Sequence, residues 1–102
     1  MKEKYYVIRT EKSGVFAAQI KNFDDVTRKY ILKDSRRLWY WDGAASLSEL
    51  SQEGVNKPEN CKFPMSVPEH IAYLVIEVIP MTEKAITSIK NVKIWSGKWI
   101  MS

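Results

Sequence analysis

The densest run of chemically capable residues is Arg36-Arg37-Leu38-Trp39-Tyr40-Trp41. A guanidinium offers a planar fork that matches phosphate geometry. An indole or phenol ring offers a flat face on which a base can stack. On an extended chain Arg37, Trp39 and Trp41 share one face, while Arg36, Leu38 and Tyr40 share the other. The bland reading of the same run is structural, because large aromatics are usually buried and the arginines then form a solvated strand end.

A second candidate adjoins it. Asp42-Gly43-Ala44-Ala45-Ser46-Leu47-Ser48 is a small-residue loop running into a capped helix. Small side chains at Gly43, Ala44, Ala45, Ser46 and Ser48 leave the first helical amides open, and those amides with the helix dipole favour an anion. The glycine spacing and following lysine of a P-loop are absent. The alternative is a tight turn packed under the sheet. Lys62, in Asn60-Cys61-Lys62-Phe63-Pro64, adds a further cation for phosphate. Together these residues outline a candidate phosphate and base site.

Catalysis finds no such support. The chain has a single cysteine, Cys61, and a single histidine, His70, so no internal disulfide and no four-ligand Cys/His zinc site can form within one chain. Cys61 and His70 match no nucleophile and base signature and lack an orienting third group, so Cys61 reads as a small buried hydrophobe. Asp24 and Asp25 sit together in a turn, and Asp42 before Gly43 suits turn formation. The expectation is a protein that is not an enzyme, with no metal and no cofactor.

The chain has 102 residues, 45% of them hydrophobic and 27% charged, which predicts one globular domain over 1–102. No apolar run is long enough to span a bilayer. Tyr5-Tyr6-Val7-Ile8 is too short for a signal peptide and lacks a small-residue cleavage site, so the expected location is the cytoplasm. The net charge of +4 is uneven: residues 1–40 hold ten Lys/Arg against five Asp/Glu, and the remainder six against seven. A basic N-terminal part favours an anionic partner such as a nucleotide or nucleic acid, although a mildly basic surface needs no partner at all, and no membrane partner is expected.

The elements that must position these residues follow from pattern. Tyr5–Thr10 and Val15–Lys21 read as strands joined by the turn chemistry of Lys12-Ser13-Gly14. After a turn at 21–25, Val26–Leu32 reads as a third strand, and Arg36–Trp41 as a fourth beyond a break at Asp34-Ser35. Ser46-Leu47-Ser48-Glu49 has the spacing of a capping box, and Gly54 suits a C-cap, so 46–53 is a short helix. Residues 55–67, with Pro58 and Pro64, form a loop. His70–Ile79 is apolar on both faces and predicts a central, buried strand. Thr82 caps a second helix to about Ile89, and Val92–Trp95 returns as an edge strand. The predicted fold class is α+β: a small antiparallel, meander-like sheet of five strands with one or two short helices packed on it. Residues 96–102 form a tail whose Trp99 and Ile100 call for burial.

Residues 37–50 (Arg37-Leu38-Trp39-Tyr40-Trp41-Asp42-Gly43-Ala44-Ala45-Ser46-Leu47-Ser48-Glu49-Leu50), with Glu53-Gly54-Val55 and Pro58–Pro64, resemble a family of small uncharacterised proteins from tailed bacteriophages and prophages. Weaker likeness extends over 5–16 and 76–95, and the tail from Ser96 stands outside the pattern. The resemblance implies a phage origin and a host-cell cytoplasmic location. Small phage proteins without catalytic residues often neutralise host factors. The leading expectation is a binding protein that sequesters a nucleotide immune signal, a cyclic nucleotide or ADP-ribose derivative, and so blocks anti-phage defence. Its partner would be a small phosphorylated nucleotide, held by a homo-oligomer because a small domain builds a deep pocket most easily across a subunit interface. Arg36, Arg37 and Lys62 would meet phosphate, and Trp39, Tyr40 or Trp41 would stack on the base. Two alternatives stand beside it: an inhibitor of a host defence protein anchored by Trp95 and Trp99, and a small nucleic-acid-binding protein.

Overall fold

The computed structural model describes residues 4–96. Five antiparallel strands and two helices appear in the order β1 (Tyr6–Thr10), β2 (Val15–Asp24), β3 (Lys29–Arg37), α1 (Leu47–Glu53), β4 (Val67–Ala72), β5 (Val75–Pro80) and α2 (Glu83–Lys90), with a single 3-10 turn at Pro58–Asn60. The sheet order is β4-β3-β2-β1-β5. This is the expected α+β class, with the expected meander of β1, β2 and β3.

The strand order imposes a shape. In a flat sheet four spacings would separate β4 from β5 by about 19 Å. Only Tyr73 and Leu74 join them, and three virtual bonds reach about 11 Å at most. The sheet must therefore curl. The β2–β3 ladder shifts register between Ala17 and Gln19 and again between Ile20 and Asn22. Such bulges bend the strands and strengthen their twist. The tip of the β2–β3 hairpin then reaches the far edge, where Val75 N donates to Arg28 O at 3.0 Å, and the β1–β2 turn meets the same link through Glu11 N, which donates to Leu74 O at 3.0 Å. Leu74 makes this sharp link with φ 56, in the left-handed region.

Several sequence expectations change with that curl. The run His70–Ile79 is not one central strand. It splits into β4 and β5, which lie at the two edges, so Ile71, Tyr73, Leu74 and Ile76 are exposed despite their apolar pattern. The turn expected at 21–25 lies at 25–28, because β2 runs through to Asp24. There the Asp24 carboxylate accepts from Val26 N at 2.9 Å, which with the neighbouring Thr27 amide holds its pKa below the usual value. Asp34-Ser35 does not break the chain. Asp34, at φ 48, bulges within β3, so Arg36 and Arg37 end β3 instead of starting a fourth strand. Residues 38–41 are irregular, and Val92–Trp95 contributes one parallel bridge, Phe63 with Ile94, in place of a strand.

The inner face of the curl buries Ile8, Ala18, Leu32, Ala72 and Val75. A second core lies on the other side, where Leu38, Leu50, Val55, Phe63, Ile89 and Val92 pack against Ala17. Both helices dock there. Ser46 Oγ accepts from Glu49 N at 3.1 Å and Thr82 Oγ1 accepts from Ala85 N at 3.1 Å, so each helix starts at its predicted cap. Gly54 closes α1 at φ 77, and a Cβ there would lie 2.4 Å from the Ser88 side chain, so the two helices cross at a residue that must stay small. Among the described residues no helix is long and apolar enough to cross a membrane.

Candidate functional site

The pleat at the end of β3 sends consecutive arginines in opposite directions. Arg36 goes inward and is 7% exposed. Its guanidinium donates to Pro64 O at 3.0 Å, Ile89 O at 2.7 Å, Phe63 O at 3.1 Å and Val92 O at 2.7 Å. Burial pushes its pKa down, and Asp34 partly offsets this. A guanidinium has five N–H donors, and with this many committed to carbonyls Arg36 ties the loop before β4 to the C-terminal end of α2. Its expected phosphate contact gives way to this internal role.

Arg37 goes outward. Its guanidinium donates to Ser13 O and lies 4.6 Å from the centroid of the Phe16 ring. It lines an open groove of about 540 Å³ with Lys12, Ser13, Gly14, Trp39 and Trp41. Arg37, Trp39 and Trp41 all line it, but so does Leu38, and Tyr40, expected to share the face of Arg36 and Leu38, is exposed, so the strand alternation stops with β3 at Arg37. Trp39 is 63% exposed, whereas Trp41 is half-buried against the second core. The β1–β2 turn supplies the opposite wall. Lys12, Ser13 and Gly14 were not among the predicted site residues, and the only sequence signal for them is a cation in a turn.

Arg37 also borders a second depression, with Ser35, Met65 and His70. Ser35 Oγ and His70 Nδ1 share a hydrogen bond of 2.9 Å, and the His70 ring meets Phe16 edge-on at 4.5 Å. Burial first, and the Arg37 charge second, hold the His70 pKa below its usual value. Phe16 is thus flanked by the Arg37 cation and the His70 ring.

The remaining predicted residues fall elsewhere. Gly43, at φ 89, carries the chain past residues 56 and 57, and a Cβ there would come 2.3 Å from Asn56 Oδ1. Ala45 N donates to Glu49 Oε1 at 2.8 Å. The start of α1 therefore already holds a carboxylate, its own Glu49, where a phosphate was expected. Gly43, Ala44, Ala45, Ser46 and Ser48 build a self-capped turn. Tyr40 and Lys62 leave the Arg37 groove and pair with each other: Lys62 N donates to Tyr40 O at 2.8 Å, and Tyr40 N to Lys62 O at 3.3 Å. The Lys62 ammonium lies 6.0 Å from the Tyr40 ring centroid and 5.8 Å from that of Trp95. Trp99 lies outside the described residues. Cys61 is buried, with Sγ near Asp42 O and Lys57 O, and burial is the main cause that raises its pKa. Among the described residues no group of three or more His, Cys, Asp or Glu could hold a metal ion.

Two cations, a turn and an exposed indole converge at this groove. Residues 3–89 match the model of a family described as a domain of unknown function (DUF6948). The chain belongs to that family. No curated protein and no solved structure matches it. The DUF6948 match ends at residue 89, so it spans the Arg37 groove and Lys62 and stops before Trp95.

Proposed function

We propose that this DUF6948 protein is a non-catalytic binding protein for a small phosphorylated nucleotide. The observation that carries the reading is the groove shared by Arg37, Lys12 and the exposed Trp39. Arg37 supplies a fork for phosphate, already aimed by its contact with Phe16 and Ser13 O. Lys12 adds a second cation at the rim. Trp39 offers a ring for the base, a contact worth about 1–3 kcal/mol for each stacked base. Trp41 forms the half-buried floor.

In the same reading, the protein is phage-encoded, acts in the cytoplasm of an infected bacterium, and sequesters a cyclic nucleotide or ADP-ribose derivative that signals for host defence. A sponge needs tight binding and slow release of intact ligand, and it needs no catalytic acid or base. Self-association fits this role: β4 and β5 each pair on one side only, leaving two strand edges for a second copy.

The test is a thermal-shift screen of the purified protein against mono-, di- and cyclic nucleotides and ADP-ribose derivatives. A ligand at about 100 times its dissociation constant adds about 2.7 kcal/mol of stability. The expected result is a shift that Arg37→Ala removes, with the ligand recovered intact after heating. A flat response across the panel overturns the reading.

A further inference from the structure

Trp39 and Arg37 line the groove described above, whereas the next residue, Tyr40, pairs with Lys62. Three chain segments meet there. Tyr40 and Lys62 exchange backbone hydrogen bonds, and Trp95 N donates to Phe63 O at 2.9 Å. Cys61 and Phe63 turn into the core, so Lys62 between them turns out. Its ammonium lies within cation–π reach of two rings, those of Tyr40 and Trp95, at 6.0 and 5.8 Å. Those rings are 51% and 42% exposed. Two rings thus share one cation at the surface. Trp95 also lines a cleft of about 490 Å³ with Lys93, Asn91 and Glu59. Asp42 accepts from Asn60 Nδ2 at 3.0 Å.

A cation shared by two exposed rings is the complement of a phosphodiester that links two bases. An aromatic face stacks on any base, and a cation between two such faces meets the phosphate that links them. Resting on the nucleotide reading above, we infer that Tyr40, Lys62 and Trp95 form a second subsite, and that the ligand contains phosphodiester-linked nucleotides. One base lies on each ring, and the linking phosphate lies against Lys62. The groove with Trp39 and Arg37 takes a further nucleotide. A small cyclic oligonucleotide and a stretch of single-stranded nucleic acid both have this chemistry, and the measurement below separates them.

The experiment measures fluorescence-detected affinity for adenosine monophosphate, cyclic diadenylate, linear diadenylate and octaadenylate at fixed salt. The expected result is at least about tenfold tighter binding of a diester ligand than of the monophosphate, the gain from one added stacked base. The double variant Tyr40→Ala/Trp95→Ala should remove that gain, so that diester and monophosphate bind alike. Lys62→Gln should lower the salt slope for octaadenylate by about 0.7, the share of one phosphate contact on a single strand. Preference for cyclic diadenylate supports the subsite with a small signal as its source, and preference for octaadenylate supports it with a strand. If the monophosphate binds as tightly as every diester, the subsite is overturned and the groove reading stands. If the double variant binds diesters like the parent protein, the subsite is likewise overturned. If no nucleotide binds, the reading on which it rests fails first.

Discussion

The inner and outer sides of the β3 terminus carry the same chemistry to different ends. On the inner side, Arg36 donates to carbonyls from the loop before β4, from α2 and from the segment after it. On the outer side, Arg37 lies over Phe16 at the edge of an open groove. Desolvation separates the two. A buried guanidinium has lost its water and must keep each protein partner, so its removal strands several carbonyls at once. An exposed one keeps its water and can exchange it for a phosphate. Position on the pleat, more than residue type, decides which arginine is structural and which is available.

The strongest way to break this comparison is to truncate both arginines separately. Arg36→Ala should cost about 3–5 kcal/mol of stability, the range for breaking a buried charged network, measured as a fall in the urea midpoint. A loss below about 1 kcal/mol would mean that Arg36 is no more embedded than Arg37. Gly43→Ala sharpens the same contrast within the small-residue loop. A side chain there collides with residues 56 and 57 in a left-handed backbone, and the expected cost is about 2–3 kcal/mol. Ser46→Ala removes the cap of α1 and should cost about 1 kcal/mol, with no change in nucleotide affinity beyond the stability effect. Arg37→Ala should cost under about 1 kcal/mol, since its contacts are exposed, yet weaken nucleotide binding by at least about tenfold. Loss of stability without loss of binding in this variant would reverse the assignment.

The smallest expected effect belongs to His70, which lies between the two regions on Phe16. Its folded-state pKa is lowered, so the unfolded chain binds the proton more readily. The sign follows from linkage: this contribution is fully present above the usual value of 6.5 and is lost as pH falls through the lower folded-state value. Urea midpoints should therefore decline below about pH 6.5 more steeply in the parent protein than in His70→Gln. Equal pH profiles would remove His70 from the account.

Local signals in the sequence held at several short-range features, while the turn expected at 21–25 and the break at Asp34-Ser35 did not. The capping residues Ser46 and Thr82, the C-cap Gly54 and the β1–β2 turn follow from short-range geometry, and the structure shows each of them. Burial of Cys61 follows from its chemistry as a small hydrophobe. The Arg37–Trp39 half of the candidate groove was legible for the same reason. Lys12 was not, because only the β1–β2 hairpin brings it opposite Arg37.

What tertiary structure alone decided comes from the curl of the sheet. Both faces of His70–Ile79 are apolar, which suits a central strand. A chain that must connect opposite edges of a curled sheet through two residues instead turns at Leu74 and exposes one side of each half. The inward fate of Arg36 likewise depends on carbonyls from residues 63, 64, 89 and 92, which are distant in the chain and meet only when α2 docks. The pairing of Lys62 with Tyr40 and Trp95 has the same origin. Residue type and spacing determined which groups can bind an anion or stack on a base. Which of them face water is settled by long-range packing, because the free energy of burying a charge depends on partners that no local pattern contains.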